Sequence, residues 1–176
     1  MWMAASPVSF KGAAVVMGVA SCGKTTLGEA LAERLKVSFV EGDKLHSPEN
    51  VAKMSKGIPL TDADRWPWLD RVGETLDGTV GAIASCSALK KTYRDRITGK
   101  AARPVVFLLL HGDRSLLQQR IANRRGHFMP ASLLESQLAT LEIPGAGENA
   151  VIIDIALPIA AQVERAVKFL MKDHNL

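Results

Sequence analysis

Short apolar runs alternate with longer, partly polar stretches along most of the chain. A continuous run such as 13–17, ending in glycine, is typical of a strand buried on both faces of a parallel sheet. The predicted strands are 13–17, 37–40, 80–85, 105–110 and 151–155. Each run is too short to cross a membrane, which needs about 20 apolar residues.

The stretches between the strands carry apolar residues at helical spacing, as Leu27, Leu31 and Leu35 do. The predicted helices are 26–36, 115–124, 131–141 and 159–172, and others begin near Pro48 and Lys90. Pro67 is expected either to open a further helix or to kink it. Thr61 and Asp64 resemble a capping box ahead of the helix near Pro67. This alternation predicts a three-layer α/β fold with a parallel sheet of about five strands.

A glycine-rich loop follows the first strand. Residues 18–25 read GVASCGKT and match G-x-x-x-x-G-K-[ST], the phosphate-binding P-loop. Glycines let successive N–H groups point inward at phosphate oxygens, and the next helix adds its positive dipole end. Lys24 supplies a mobile charge for the β/γ-phosphates, and the Thr25 hydroxyl suits Mg²⁺. The predicted ATP-contacting residues are Gly18, Val19, Ala20, Ser21, Cys22, Gly23, Lys24, Thr25 and Thr26.

Two residues of this loop raise separate hypotheses. If the position of Ser21 requires a positive φ, its side chain stores strain of about 1 kcal/mol. The Cys22 thiol, beside Lys24 and a helix start, is either acidified and sensitive to oxidation or an inert small side chain.

Two carboxylates, Glu41 and Asp43, follow the second strand with a glycine between them. At i and i+2 they are expected to point to the same side, toward the ligand crevice at the carboxyl edge of a parallel sheet. One carboxylate can hold a magnesium-bound water while the other accepts a proton from a substrate hydroxyl. The alternative is an acidic surface turn.

Basic residues concentrate at two further places. Lys90, Lys91, Arg94 and Arg96 crowd the start of one helix, where lysines oppose the dipole. The segment is either a solvated face or the binding place of an anion. Arg65, near a Trp-Pro-Trp corner, is either a packing residue or a clamp for an anionic substrate.

Arg120 and Arg124 precede a glycine hinge at Gly126. Such a segment, about 120–131, is typical of a lid that closes over a transferred phosphoryl group. The alternative is a basic helix end that stabilises its helix through the dipole.

Composition limits the remaining possibilities. At 176 residues with a net charge of +4, the chain is expected to form one domain, 1–176, with a loose tail at 1–11. Two cysteines without metal-ligand spacing indicate a reducing compartment, and the start lacks a signal-peptide pattern, so we expect a cytoplasmic protein. The charge suits an anionic ligand but is too mild to indicate nucleic acid.

These landmarks together resemble the gluconate kinase family. The resemblance rests on the P-loop and four further stretches, which are spread along the region 13–154. They are GDKLHSPEN at 42–50, KMSKGIPLTDADRWPWL at 53–69, CSALKKTYRD at 86–95 and RGHFMP at 125–130. The resemblance implies a nucleoside-monophosphate-kinase-like fold, transfer of the ATP γ-phosphoryl group to the 6-hydroxyl of D-gluconate, a magnesium requirement and a homodimer.

The resemblance also implies roles for individual residues. Asp43 would be the base or the orienter of the accepting hydroxyl, and Glu41 would lie near magnesium, where family members usually carry Asp. The residues implied for sugar-acid binding are Asp43, His46, Arg65, Lys90, Arg94 and His127. The catalytic residues implied with Asp43 are Lys24, Arg120 and Arg124, the last two on the lid.

Other functions compete with this interpretation. A different small-molecule kinase of the same fold, acting on shikimate or a nucleotide, would carry other residues after the second and third strands. A nucleotide-switched binding protein or a nucleic-acid ATPase is disfavoured because only 5% of residues are aromatic.

Overall fold

The computed structural model describes residues 10–124 and 131–172. In this part of the chain, five strands and seven α-helices alternate. The strands are β1 (Ala13–Met17), β2 (Ser38–Glu41), β3 (Ala82–Ser85), β4 (Val105–His111) and β5 (Ala150–Asp154). The helices are α1 (Lys24–Leu35), α2 (Pro48–Ser55), α3 (Asp62–Asp77), α4 (Lys91–Ala101), α5 (Arg114–Ala122), α6 (Ala131–Thr140) and α7 (Ile159–Lys172), and Gly42–Leu45 is a short 3-10 helix.

All neighbouring strands are parallel, in the order β2-β3-β1-β4-β5. β3 therefore lies between β1 and β2, although it follows both in sequence. The register aligns Glu41 with Ser85, and Ser85 with Val16. Because the carboxyl ends of parallel strands share one edge, the loops after β1, β2 and β3 meet there.

Two apolar clusters cover the two faces of the sheet. Alternate residues of β1 contribute to opposite clusters, with Ala14 and Val16 in one and Val15 and Met17 in the other. Helices α1 and α7 pack on the first face, and α3 and α4 on the second. The predicted three-layer α/β fold is confirmed.

Most predicted boundaries agree with the structure to within two residues. For α3 the two alternatives for Pro67 are decided by its start at Asp62, which places the proline within the helix and not at its opening. The capping box between Thr61 and Asp64 forms as predicted and determines this start. Pro67 then lies inside the helix, where its ring nitrogen cannot donate to the carbonyl of exposed Ala63.

Part of the predicted tail is packed against the domain. Phe10 is 2% exposed and belongs to the first apolar cluster, and the Lys11 carbonyl accepts a hydrogen bond from Gly81 N at 3.2 Å. Residues 1–9 lie outside the described residues. Within the described ranges, no helix has the length and apolar content needed to span a bilayer.

Candidate active site

The P-loop joins β1 to α1 at the carboxyl edge of the sheet. Gly18 has φ of 141°, and a side chain there would approach the Leu110 carbonyl oxygen to 2.7 Å. No other residue fits this position without a shift of backbone. Within the loop, Lys24 Nζ donates to the Val19 carbonyl at 3.0 Å, so the lysine side chain folds back across the P-loop.

Ser21 has a positive φ of 62°, which is the condition for the predicted strain. Its hydroxyl oxygen is buried and finds no hydrogen-bond partner among the residues that the structure describes. The loop thus holds a strained residue with an unpartnered polar atom, an arrangement that is costly unless a ligand contacts it.

The hypothesis of an acidified Cys22 thiol is wrong. Cys22 is 1% exposed, and burial raises the pKa of its thiol despite the nearby charges of Lys24 and Arg120. Charge attraction from two cations does not compensate for the loss of water around a thiolate. Cys22 is therefore the inert small side chain of the alternative interpretation.

A hydrogen-bonded chain joins the P-loop to the second and third strands. The Glu41 carboxylate accepts hydrogen bonds from the hydroxyls of Thr25 and Ser85. The Ser85 oxygen also accepts from Gly42 N at 3.1 Å. A side chain at Gly42 would lie 1.9 Å from the Ser85 carbonyl oxygen, so glycine is required for β2 to approach β3 this closely. Sequence reasoning missed Ser85, because its register against Glu41 follows only from the strand order.

Asp43 lies on the 3-10 helix and is exposed, whereas Glu41 is half-buried and hydrogen-bonded. The two carboxylates therefore occupy different environments at the end of β2. An exposed carboxylate beside a P-loop is accessible to a substrate hydroxyl, and the bonded one is held near Thr25. This division suits the two roles that the sequence predicted for the pair.

His46 packs on Trp68, with the ring centroids 4.0 Å apart and the planes 18° from parallel. Trp68 is itself held by a hydrogen bond from its Nε1 to the Gly42 carbonyl at 2.8 Å. Burial lowers the pKa of His46 from 6.5 to about 4, so the imidazole is neutral at pH 7. His46 can therefore offer hydrogen bonds to a sugar acid but no positive charge.

The protonated nitrogen of His46 follows from its neighbour Asn50. The Asn50 Nδ2 donates to the Asp64 carbonyl at 2.8 Å and lies 3.4 Å from His46 Nδ1. Because an amide nitrogen can only donate, Nδ1 accepts and the ring proton is on Nε2. His46 thus presents a donor on its far side.

Lys90, Tyr93 and Arg65 converge on Asp62. Lys90 Nζ lies 3.2 Å from both carboxylate oxygens, the Tyr93 hydroxyl donates to the same group, and Arg65 is 3.8 Å away. The tyrosine and lysine hydrogen bonds lower the pKa of Asp62, and its carboxylate raises the pKa of Lys90. Neither Asp62 nor Tyr93 was assigned to the site from the sequence, since the cluster forms only when α3 packs on α4.

Arg94 is 1% exposed, and its guanidinium group is hydrogen-bonded to other groups of the protein. Its Nε and Nη2 donate to the Glu148 carboxylate at 2.6 and 2.9 Å, and Nη1 donates to the carbonyls of Ala88 and Leu89 at 3.1 and 3.2 Å. The hydrogen bonds from Arg94 lower the pKa of Glu148. The structure does not bring Arg94 into the mouth of the site, and a direct substrate contact stays a prediction that would require this ion pair to open.

Protein carboxylates surround the basic start of α4. Glu142 Oε2 accepts from Lys91 N at 2.7 Å, and Asp95 pairs with Lys91 Nζ at 2.7 Å. Glu142 therefore supplies negative charge where the helix dipole needs it. A bound anion is not required to explain these lysines.

Arg120 ties α5 to the P-loop, since its Nη1 donates to the Cys22 carbonyl at 3.2 Å and its Nη2 to the Ile155 carbonyl at 2.8 Å. Arg124 is exposed just beyond the end of α5. His127 and half of the predicted lid, residues 125–130 of 120–131, lie outside the described residues. A further contact comes from α6, where Gln137 Oε1 accepts from Ala20 N at 2.6 Å.

The donor set at the Thr25–Glu41 pair fits Mg²⁺. Magnesium in nucleotide sites takes one or two protein oxygens and completes its shell with phosphates and water. Among the described residues, no group of three His, Cys, Asp or Glu side chains could hold a metal on its own. The hydroxyl of Thr25 and the carboxylate of Glu41 are thus the residues that would hold magnesium together with a nucleotide.

The fold and site define a nucleotide-binding α/β protein of the P-loop class. A family model described as "AAA domain" matches residues 14–144. The chain is 52% identical to the gluconokinase of Gluconobacter oxydans over 138 residues, which are 76% of this chain and 77% of that protein. It is 44% identical to the thermosensitive gluconokinase of Escherichia coli, over 86% of this chain and 83% of that one.

Solved structures agree with these sequence comparisons. A gluconokinase from Sinorhizobium meliloti superimposes with a TM-score of 0.86 at 49% identity, over 93% of this chain and 94% of the other. The chain belongs to the gluconokinase family, which confirms the resemblance drawn from its motifs. It is an enzyme, a kinase with an alcohol group as acceptor.

Proposed function

We propose that this enzyme transfers the γ-phosphoryl group of ATP to the 6-hydroxyl of D-gluconate, giving 6-phosphogluconate and ADP in sugar-acid catabolism. The observation that carries the proposal is the contact between Thr25 and Glu41. It joins the nucleotide loop to the turn that bears Asp43, so both reactants have binding groups at one edge of the sheet. The gluconokinase names of the relatives support the choice of acceptor.

In this mechanism Asp43 accepts the proton of the 6-hydroxyl while the bond from that oxygen to the γ-phosphorus forms. The bond between the γ-phosphorus and the bridging oxygen breaks, and ADP leaves with that electron pair. Lys24, Arg120 and Arg124 stabilise the charge on the transferring group. Magnesium, when bound at Thr25 and Glu41, supplies positive charge to the phosphates.

Gluconate is a polyhydroxylated monoanion, so its site needs a fixed cation and several hydrogen-bonding groups. Lys90 and Arg65 beside Asp62 supply cations, and the neutral His46 supplies a donor at Nε2. His127 and Arg94 stay candidates from the family resemblance. A closing segment at 120–131 would exclude water, which otherwise competes for the phosphoryl group.

The test is ADP release with Mg²⁺-ATP against gluconate, glucose, shikimate, AMP and no acceptor. Turnover with gluconate, and product with phosphate on O6 by ³¹P NMR, supports the proposal. Turnover on shikimate or AMP instead would retain phosphoryl transfer and overturn the assigned acceptor. A homodimer and a cytoplasmic location stay predictions from the family resemblance and the composition, and sedimentation tests the first.

A further inference from the structure

We propose that Glu148 is a positioning residue for the acceptor side of the site. Through its ion pair with Arg94, Glu148 fixes the backbone of the turn 88–90 and thereby determines the position of Lys90. The inference rests on the proposed function, in which Lys90 contacts the acceptor. Neither the motifs nor the resemblance points to Glu148, which lies in the loop between α6 and β5, far along the chain from α4.

The contacts run continuously from Glu148 to the turn. The Glu148 carboxylate receives two guanidinium hydrogen bonds from Arg94, at 2.6 and 2.9 Å. A third nitrogen of that guanidinium donates to the carbonyls of Ala88 and Leu89, the two residues before Lys90. Because the guanidinium is planar and rigid, fixing one side by a carboxylate also fixes the other. Arg94 is 1% exposed, so water does not compete for these bonds.

The turn is expected to need contacts with other parts of the chain to keep its backbone conformation. Ala88 has φ of 45°, in the left-handed region that residues with a Cβ rarely adopt, and it is fully buried. Lys90 is the N-cap residue of α4 and makes no side-chain capping bond. Without its carbonyl contacts, the turn is expected to relax toward a more favourable backbone, which would move Lys90.

The loop that carries Glu148, 142–149, makes a second set of hydrogen bonds to this turn and the start of α4. Glu142 N donates to the Leu89 carbonyl at 2.8 Å, and Glu142 Oε2 accepts from Lys91 N at 2.7 Å, in place of the missing cap. Glu148 Oε1 also accepts from Gly145 N at 3.2 Å, which closes the loop on itself. Ser87, the residue before the turn, contacts the P-loop, because its carbonyl accepts a hydrogen bond from Gly18 N at 3.2 Å.

The position of Lys90 matters for acceptor binding because its ammonium group is already paired with the Asp62 carboxylate. Its Nζ lies 3.2 Å from both Asp62 oxygens and its side chain is 33% exposed. A small displacement of the turn changes how far this ammonium group reaches toward an acceptor, and binding and orientation are sensitive to shifts of about 1 Å.

The experiment compares Glu148→Gln with the matched control Asp70→Asn. Glu148→Gln keeps the side-chain shape but removes the charge and one of the two oxygen acceptors. Asp70→Asn breaks the pair with Arg96 on the same helix, α4, without touching the turn. We expect Glu148→Gln to raise KM for gluconate about tenfold, with KM for ATP and kcat within about twofold. Asp70→Asn is expected to leave both KM values unchanged.

Amide hydrogen exchange gives a readout that needs no substrate. Glu148→Gln is expected to speed exchange at residues 88–91, while Asp70→Asn does not. If Glu148→Gln folds poorly, Glu148→Asp retains the charge on a shorter stem and is expected to give an intermediate KM for gluconate.

Equal rises in both KM values, or a lower Tm with unchanged KM values and unchanged exchange at 88–91, would overturn the inference. Failure of the proposed function is visible separately, as a wild-type enzyme without turnover on gluconate. In that case KM is measured for the acceptor that the wild type does use. The comparison of amide hydrogen exchange at 88–91 between Glu148→Gln and Asp70→Asn needs no acceptor and is unchanged.

Discussion

The hydroxyl of Thr25 donates a hydrogen bond to the carboxylate of Glu41, and this contact crosses the carboxyl end of β3. Ser85, at the end of β3, donates to the other oxygen of the same carboxylate. Both oxygens of the Glu41 carboxylate thus accept a hydrogen bond from a hydroxyl group, and the two hydroxyls hold the side chain in place.

Glu41→Gln is expected to lower kcat about 10- to 100-fold and to raise the magnesium concentration needed for half-maximal rate. The amide cannot offer two charged acceptors to Thr25 and Ser85. Titrating ADP release with Mg²⁺ at saturating ATP measures the effect. Glu41→Asp serves as the control, since it keeps the carboxylate and should retain more activity. An unaltered magnesium dependence in Glu41→Gln would show that Glu41 does not help to bind magnesium.

Asp43→Asn is expected to reduce kcat by about 10²- to 10⁴-fold, because an amide cannot accept the hydroxyl proton. ATP affinity, measured by calorimetry, should stay near the wild-type value, since Asp43 is exposed and outside the P-loop. Lys44→Gln, a change at the next exposed residue of the same 3-10 helix, is the matched control. A variant with wild-type kcat would contradict the proposed role of Asp43 as base.

Ser21→Ala is expected to raise the free energy of unfolding of the ligand-free enzyme by about 1 kcal/mol, because it removes a buried hydroxyl without a described partner. Urea denaturation measures the change. If the hydroxyl contacts phosphate when ATP binds, the same variant loses ATP affinity, so the two measurements move in opposite directions. A loss of stability in Ser21→Ala would mean that the hydroxyl is satisfied in solution.

The stability of the protein is expected to decrease as the pH falls from about 6.5 to about 4, in part through His46. Its pKa is lowered from 6.5 to about 4 in the folded state, so the unfolded chain takes up a proton first. The stabilising contribution is complete above pH 6.5 and is lost as the pH falls through 4.

His46→Phe tests this assignment, because it keeps the stacking on Trp68 and removes the titration. Unfolding free energies at pH 7 and pH 4.5 are compared between the two proteins. A smaller pH dependence in His46→Phe supports the assignment, and an equal one would attribute the slope to other groups.

Local patterns in the sequence were enough to predict the fold class and the P-loop. Apolar runs such as 13–17 and 105–110 must be buried, and their alternation with amphipathic helices favours a parallel sheet covered on both faces. The pattern around Lys24 is typical of a phosphate-binding loop. Local signals sufficed also for the capping box of α3, since Thr61 and Asp64 are three residues apart.

The other contacts of the site depend on how distant parts of the chain pack together. The pairs Thr25–Glu41, Glu41–Ser85 and Arg94–Glu148 join residues separated by 16, 44 and 54 positions. No local pattern encodes such pairs, because they depend on strand order, on register and on how the loop before β5 returns to α4. Burial, too, is a property of the packed chain: it raised the pKa of Cys22 where sequence proximity to Lys24 had suggested the opposite, and it committed the Arg94 guanidinium to an internal carboxylate.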